Sequence, residues 1–275
     1  MTIADKLKLL SLQPEIELHD LNGNLKNYQR LMDETDLKPN IDAICFPEYW
    51  NGLRINSYSN TSYQDSISFL QSIALTYSCW IIGGSQIVKN GENYLNRSSI
   101  INPKGKIIGT YDKHRLFGYE LNQNMKAGTK IFHWKLGEYN ASICICNDLW
   151  NLENVNRIIR RDTDVLFVPT LSVVPKRSDT NYGQYIWHNL AFIRAKEGAM
   201  AVIVSDTAKL PLINPFWSCG ASCIVDPSKR FSNQDTKGKN MIKKLESGEC
   251  GIVFKTISLQ KIREQRSYRK EVGLM

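Results

Sequence analysis

The apolar residues of this chain come in short runs, and the longest, residues 199–204 (Ala-Met-Ala-Val-Ile-Val), is far below the ~18 positions that a membrane-spanning helix needs. Such runs have the length of buried strands. They alternate with helical patterns along the sequence. Residues 7–12 and 41–46 read as strands, with an amphipathic stretch at 21–32 between them. A helical pattern at 63–77 precedes another apolar run at 78–86. The runs 95–101 and 106–111 flank Asn102-Pro103-Lys104-Gly105, a turn signal that predicts a β-hairpin. Strands are expected at 140–146, 164–169, 200–205, 220–225 and 251–255, and helices at 153–161 and 184–197. Alternating strands and helices point to an α/β domain, and the hairpin makes the sheet mixed. Ten or more strands exceed what one open sheet holds comfortably. Two mixed sheets packed face to face and covered by helices satisfy the pattern. The polar stretch 228–247 reads as a surface loop.

At 275 residues the chain fits one large domain or two small ones, and no internal repeat or linker divides it. Hydrophobic residues at 42% and charged residues at 23% exclude a disordered, collagen-like or coiled-coil chain. The seven cysteines are an odd number, and the N-terminal stretch has no secretion pattern, so reduced thiols in the cytoplasm are expected. The formal charge is +8, with a mild basic concentration at Lys261, Arg263, Arg266, Arg269 and Lys270. No aromatic ladder accompanies it, so a nucleic-acid site is disfavoured. The core is placed at about 7–255, with 256–275 as a basic tail or a subunit-contact arm.

Three apolar runs each end in a reactive group: Glu48 after Phe46-Pro47, Lys113 after the second hairpin strand, and Cys146 after Ser142-Ile143-Cys144-Ile145. Alternation along a strand puts Cys144 and Cys146 on the same side, with only Cys146 at the edge. Ligands of α/β sheets bind beyond the carboxyl ends of strands. A carboxylate there can take a thiol proton and return it to a leaving amine. An ammonium can stabilise an oxyanion and help hold a thiolate. A thiolate can attack a carbonyl or nitrile carbon. The N–H groups just after Cys146 would complete an oxyanion hole at a strand-to-helix turn.

These segments resemble the nitrilase, or carbon–nitrogen hydrolase, superfamily, in its amidase and carbamoylase branch. Phe46-Pro47-Glu48 is similar to its first motif, residues 109–118 with Tyr111, Lys113, Leu116 and Phe117 to its lysine motif, and Ile145-Cys146-Asn147-Asp148 to its nucleophile elbow. Gly83-Gly84-Ser85, Asn96, the 102–105 turn, Arg194-Ala195-Lys196-Glu197 and Asp226-Pro227 also match. The resemblance implies a single domain with a four-layer α-β-β-α sandwich and a Glu48–Lys113–Cys146 triad. It also implies a positioning role for Glu120. The Asn147 backbone N–H is expected to join Lys113 at the oxyanion. The implied reaction cleaves a non-peptide C–N bond of a small amide or carbamoyl compound through a Cys146 thioester, with water and no cofactor. Family members assemble as dimers or larger homo-oligomers, through stretches that are 153–161 and 184–197 here.

The departures bear on the substrate. Nitrilases usually follow the cysteine with Trp-Glu, whereas amide and carbamoyl hydrolases have Asp at the second position, as Asp148 does here. Carbamoylases that grip a substrate carboxylate carry two arginines next, where this chain has Leu149-Trp150. Two alternatives stay open: a nitrile substrate, or a catalytically silent binding or regulatory protein on the same fold. Trp50, Phe117 and Trp150 follow the motifs closely and either line a pocket or pack in the core. The Cys144–Cys146 pair does not have zinc spacing, so no metal is expected. Cys219 and Cys223 read as core residues and His188 as structural. His114 is expected to face away from the lysine side.

Overall fold

The computed structural model describes residues 5–34, 41–208, 216–228 and 240–275. The first half of the chain contributes β1 (Lys6–Gln13), α1 (Leu21–Glu34), β2 (Ala43–Cys45), α2 (Asn60–Tyr77), β3 (Trp80–Ile82), β4 (Gln86–Asn90), β5 (Asn93–Ile101) and β6 (Ile107–Asp112). The second half contributes β7 (His133–Leu136), β8 (Tyr139–Ile143), α3 (Leu152–Ile159), β9 (Val165–Pro169), β10 (Val173–Val174), α4 (Thr180–Gly198), β11 (Ala201–Ser205), β12 (Trp217–Ser218), β13 (Cys223–Val225), β14 (Ile242–Lys244), β15 (Gly251–Ser258) and α5 (Leu259–Glu271). One sheet has the order β15-β1-β2-β3-β5-β4, with β6 on β5, and the other has β14-β13-β11-β9-β8-β7. In each, three central strands are parallel (β1-β2-β3 and β8-β9-β11) and the flanking strands antiparallel. This is the α-β-β-α sandwich.

The layering explains the continuous apolar runs. Leu9 and Leu10 point to opposite faces of one strand, yet both are buried. Leu9, Ala43 and Cys45 meet Ile143, Phe167 and Val202 between the sheets. Leu10, Leu12 and Ile44 pack outward on Tyr28 and Met32 of α1 and on Leu70 and Ile73 of α2. A strand covered on both faces has no polar side to alternate with. Hydroxyls pin the sheets together: Ser11 Oγ donates to the Val204 carbonyl at 2.6 Å, and Ser205 Oγ to those of Leu12 at 2.7 Å and Cys45 at 2.9 Å.

The hairpin turn forms as its residues dictate. Asn102 Oδ1 accepts from the N–H groups of Lys104 and Lys106, both at 3.0 Å, and Gly105 takes φ +72°. Other expectations are corrected. The run at 78–86 is two strands, because the chain turns at Gly84 (φ +55°), where a Cβ would collide with the Pro47 carbonyl. Part of the stretch expected as a loop at 228–247 is strand β14, which continues the sheet by pairing with β13. Residues 229–239 of that stretch lie outside the described residues. The stretch 256–275 contains helix α5, whose Ile262 is fully buried. Arg263 and Arg266 of α5 bond the buried Asp164 at 2.9 and 3.0 Å, and Lys270 bonds Asp162 at 3.0 Å. Among the described residues no helix is long and apolar enough to cross a membrane.

His188 on α4 is buried against the second sheet. Burial, and then Lys244, lower its pKa from 6.5 to about 4. A depressed pKa means that the neutral ring is the folded form, so its contribution is complete above pH 6.5 and is lost as pH falls through about 4. Urea titrations should show His188→Gln losing less stability than the native chain between pH 6.5 and 4, by up to about 3 kcal/mol. Parallel pH profiles would remove His188 from the acid response.

Candidate active site

Glu48, Lys113, Glu120 and Cys146 converge beyond the strand ends, and each is at most 5% exposed. They come from three connections, with Lys113 and Glu120 both in the one between β6 and β7. Glu48 lies in the turn after β2 and Lys113 immediately follows β6. Glu120 sits in a short 3-10 turn at Gly118–Asn122. Cys146 opens another at Cys146–Trp150. Strand β8 ends at Ile143, so alternation does not reach Cys146, and the expected same-side placement of the two cysteines does not follow from it. Cys144 is wholly buried in the intersheet core. Cys146 instead has φ +48°, a left-handed backbone that costs about 1 kcal/mol or more outside glycine. Tyr49, beside Glu48, has φ +53°.

Lys113 Nζ donates to Glu48 Oε1 at 2.8 Å and to Glu120 Oε2 at 2.9 Å. An ammonium has three donors, so one remains for another acceptor. Asn96 Nδ2 also bridges the two carboxylates, at 2.8 Å to Glu48 and 2.7 Å to Glu120. Glu120 is further held by the Tyr49 hydroxyl and by the Phe117 N–H at 2.7 Å. The second Glu48 oxygen accepts from the Leu171 N–H at 3.1 Å, and the Leu171 carbonyl lies 3.8 Å from Cys146 Sγ.

The charges follow from this burial. Desolvation raises the Glu48 pKa above the ordinary carboxylate value, against the pull of Lys113. Burial opposes the charge on Lys113, but the surrounding anionic groups, Glu48 first, outweigh it and hold the ammonium. Burial and then Glu48 push the Cys146 thiol well up, with Lys113 opposing. A resting thiolate, which the sequence suggested the ammonium could help hold, is therefore disfavoured, because burial and then Glu48 outweigh the pull of the ammonium. The site holds a thiol facing a carboxylate.

These groups line a cavity of about 250 Å³ together with Tyr49, Arg54, Phe117 and Leu171. Phe117 is half-exposed at its wall. Trp50 does not reach it: the indole is fully buried among Tyr28, Phe46 and Phe69 beneath the sheet. Trp150 points outward, edge-on to Trp187 of α4. Asn147 follows Cys146 at the start of a helical turn, where N–H groups lack partners within the turn. Among the described residues no group of His, Cys, Asp or Glu is arranged to hold a metal.

The sequence model of the carbon-nitrogen hydrolase family matches residues 9–266. The chain belongs to that family. It is 24% identical over 213 residues to the "Hydrolase in agr operon" of Staphylococcus aureus, covering 71% of this chain and 74% of that protein. A protein of the same description from Staphylococcus lugdunensis is 30% identical over 79 residues, 27% of this chain and 34% of its own. Nit3 of Saccharomyces cerevisiae, a nitrilase-superfamily member, superposes with a TM-score of 0.76 at 21% identity, over 99% of this chain and 96% of its own. An amidase from Nesterenkonia does so at 0.73 and 15%, over 97% and 96%.

Within this carbon-nitrogen hydrolase, the sequence pointed to the four converging groups. Of the residues that hold them in place it marked Asn96 and Asp148 as parts of matching motifs, without giving either a role. Asp148 holds the backbone. It accepts from the Tyr111 hydroxyl at 2.7 Å and from the N–H groups of Ile145 at 3.0 Å and Arg115 at 2.7 Å, tying the lysine loop to the cysteine turn. Its place in the Asn147-Asp148 motif was the available signal. Tyr49 and Arg54 follow Glu48 closely, but nothing in their spacing marks them. The Leu171 contribution is made by the backbone and leaves no side-chain signature. His114 turns to Asn154 at 2.9 Å, away from the cavity.

Proposed function

We propose that this carbon-nitrogen hydrolase cleaves the C–N bond of a small amide or carbamoyl compound, with Cys146 as nucleophile. The observation that carries the reading is the buried thiol beside a carboxylate that is itself clamped by an ammonium. Glu48 takes the Sγ proton as the sulfur attacks the carbonyl carbon. A C–S bond forms and the carbonyl oxygen becomes an oxyanion, which the free Lys113 N–H and the Asn147 backbone N–H receive. Glu48 passes the proton to the nitrogen as the C–N bond breaks, and ammonia or an amine leaves. Water then gives a proton to Glu48, its oxygen attacks the thioester, the C–S bond breaks and the proton returns to sulfur. Glu120 positions Lys113 without reaching the reacting atoms.

Two further features support this reading. A glutamate-to-glutamine mutant of the Nesterenkonia amidase shows covalent addition of the acetamide moiety of fluoroacetamide at the active-site cysteine. The cavity of about 250 Å³ is of a size for a small molecule. Assembly as a homo-oligomer through α3 and α4 is part of the same proposal, supported by exposed Leu152, Tyr182, Tyr185 and Ile193 on those helices.

The test is acid and ammonia release from a panel of small amides, carbamoyl amino acids and nitriles, followed against pH. The working base is ionised Glu48, whose pKa burial raises. Activity should therefore fall as pH drops through a value above the ordinary carboxylate range. Glu48→Gln should lose about 10²–10⁴-fold in rate together with that acid limb. A Glu48→Gln protein with native rate and pH profile would sink the assignment.

A further inference from the structure

Arg54 places a guanidinium at the wall of the cavity. The residue is 7% exposed and lines the same cavity as Glu48, Lys113 and Cys146. Among the described residues no carboxylate lies within ion-pairing distance of it, while the nearby Glu48 and Glu120 are bonded to Lys113. Among the described residues its guanidinium gives one hydrogen bond, from Nη1 to the Leu53 carbonyl at 3.2 Å. A guanidinium has five N–H donors. Its carbon sits 4.4 Å from the Tyr49 ring centroid and 5.7 Å from that of Tyr119. Ring faces attract a cation but accept few of its hydrogen bonds. The guanidinium therefore lies beside two rings at the wall of the cavity, with most of its donors unused by the described residues.

We infer that Arg54 is a carboxylate subsite, and that the substrate is a small amide carrying a carboxylate at the end remote from the scissile bond. This rests on the proposed hydrolysis for its catalytic half. The fork of a stacked guanidinium matches the two oxygens of a carboxylate, and burial strengthens the pairing because little water competes. The two arginines that would grip a carboxylate after the cysteine motif are Leu149 and Trp150 here. Arg54 supplies the same chemistry from a different connection, the one that follows Glu48. The small cavity limits the spacer between carboxylate and amide to a few carbons.

The test compares the monoamides of succinic, glutaric and adipic acids with neutral alkyl amides of equal length. The native enzyme should favour at least one charged amide by about 100-fold in kcat/KM, expressed mainly in KM. Arg54→Met should bring that ratio to within about threefold, and Arg54→Lys should keep part of it, since an ammonium has charge without the fork. In parallel, calorimetric titration of Cys146→Ala with glutarate should show binding that Arg54→Met removes and that neutral glutaramide does not reproduce. Equal or better use of neutral amides by the native enzyme overturns the subsite. So does glutarate binding that is unchanged by Arg54→Met. If no amide is turned over but glutarate binding depends on Arg54, the subsite stands and the hydrolytic reading fails alone.

Discussion

Cys146→Ala should abolish turnover, by about 10⁴-fold or more, while leaving the fold intact. No other thiol can substitute. Cys144 is wholly buried between the sheets, and burial pushes its thiol well up as well. The structural cost should be small, about 1 kcal/mol, because alanine keeps the φ +48° backbone at no greater strain than cysteine and vacates space at the cavity wall. For a chain of this length that corresponds to a melting shift within about 4 °C. Intact-mass measurement supplies the second readout. After brief incubation with a turned-over amide, the native chain should gain the mass of the acyl group, and Cys146→Ala should not. The raised thiol pKa adds a condition: alkylation of Cys146 should be slow at neutral pH and accelerate as pH rises. An acyl adduct on Cys146→Ala, or retained turnover, would place the nucleophile elsewhere.

Lys113→Met should be strongly destabilising. Removing the ammonium leaves Glu48 and Glu120 buried with Asn96 as their shared donor. Breaking a buried ion pair by deleting one partner typically costs about 3–5 kcal/mol, because a charge stays in a medium that solvates it poorly. The sign of the pH response follows. Without the ammonium, the folded-state pKa of the Glu48 carboxylate rises further above its unfolded value. The protonated form is then the one the fold tolerates. Stability of the variant should be greatest below the unfolded carboxylate value and should fall as pH rises. Urea titrations at pH 5 and 8 check this, and the variant should lose more than the native chain at the higher pH. Adding Glu48→Gln should recover part of the loss, since one buried charge disappears with it. If Lys113→Met is as stable as the native chain at pH 8, the clamp is not structural. Turnover should fall at least about 10²-fold, the usual cost of losing an oxyanion donor.

Much of this architecture was legible in the residues. Runs such as 199–204 have no polar alternation because both sheet faces are covered, and it was the number of such runs that marked two packed sheets. Asn102 and Gly105 fixed the hairpin by local chemistry, and Glu48, Lys113 and Cys146 stood out as reactive groups closing apolar runs. Strand β14 was not legible. Ile242-Lys243-Lys244 has little apolar content of its own, and it is a strand only because β13 offers an open edge. Helix α5 looked like a basic tail for a similar reason: its anchor, Asp164, lies about a hundred residues away. Trp50 and Phe117 were equivalent as sequence, and only packing put one under the sheet and the other at the cavity wall.

The site divides along the same line. The sequence by itself determined which chemical groups are available, because a thiol, a carboxylate and an ammonium are properties of single residues. The tertiary structure decided their protonation and their partners. Burial raises Glu48 and Cys146, Lys113 is committed to two carboxylates, and Arg54 lies beside two rings with no ion-pair partner among the described residues. Charge, unlike residue type, depends on what solvates it, and solvation is set by the whole fold.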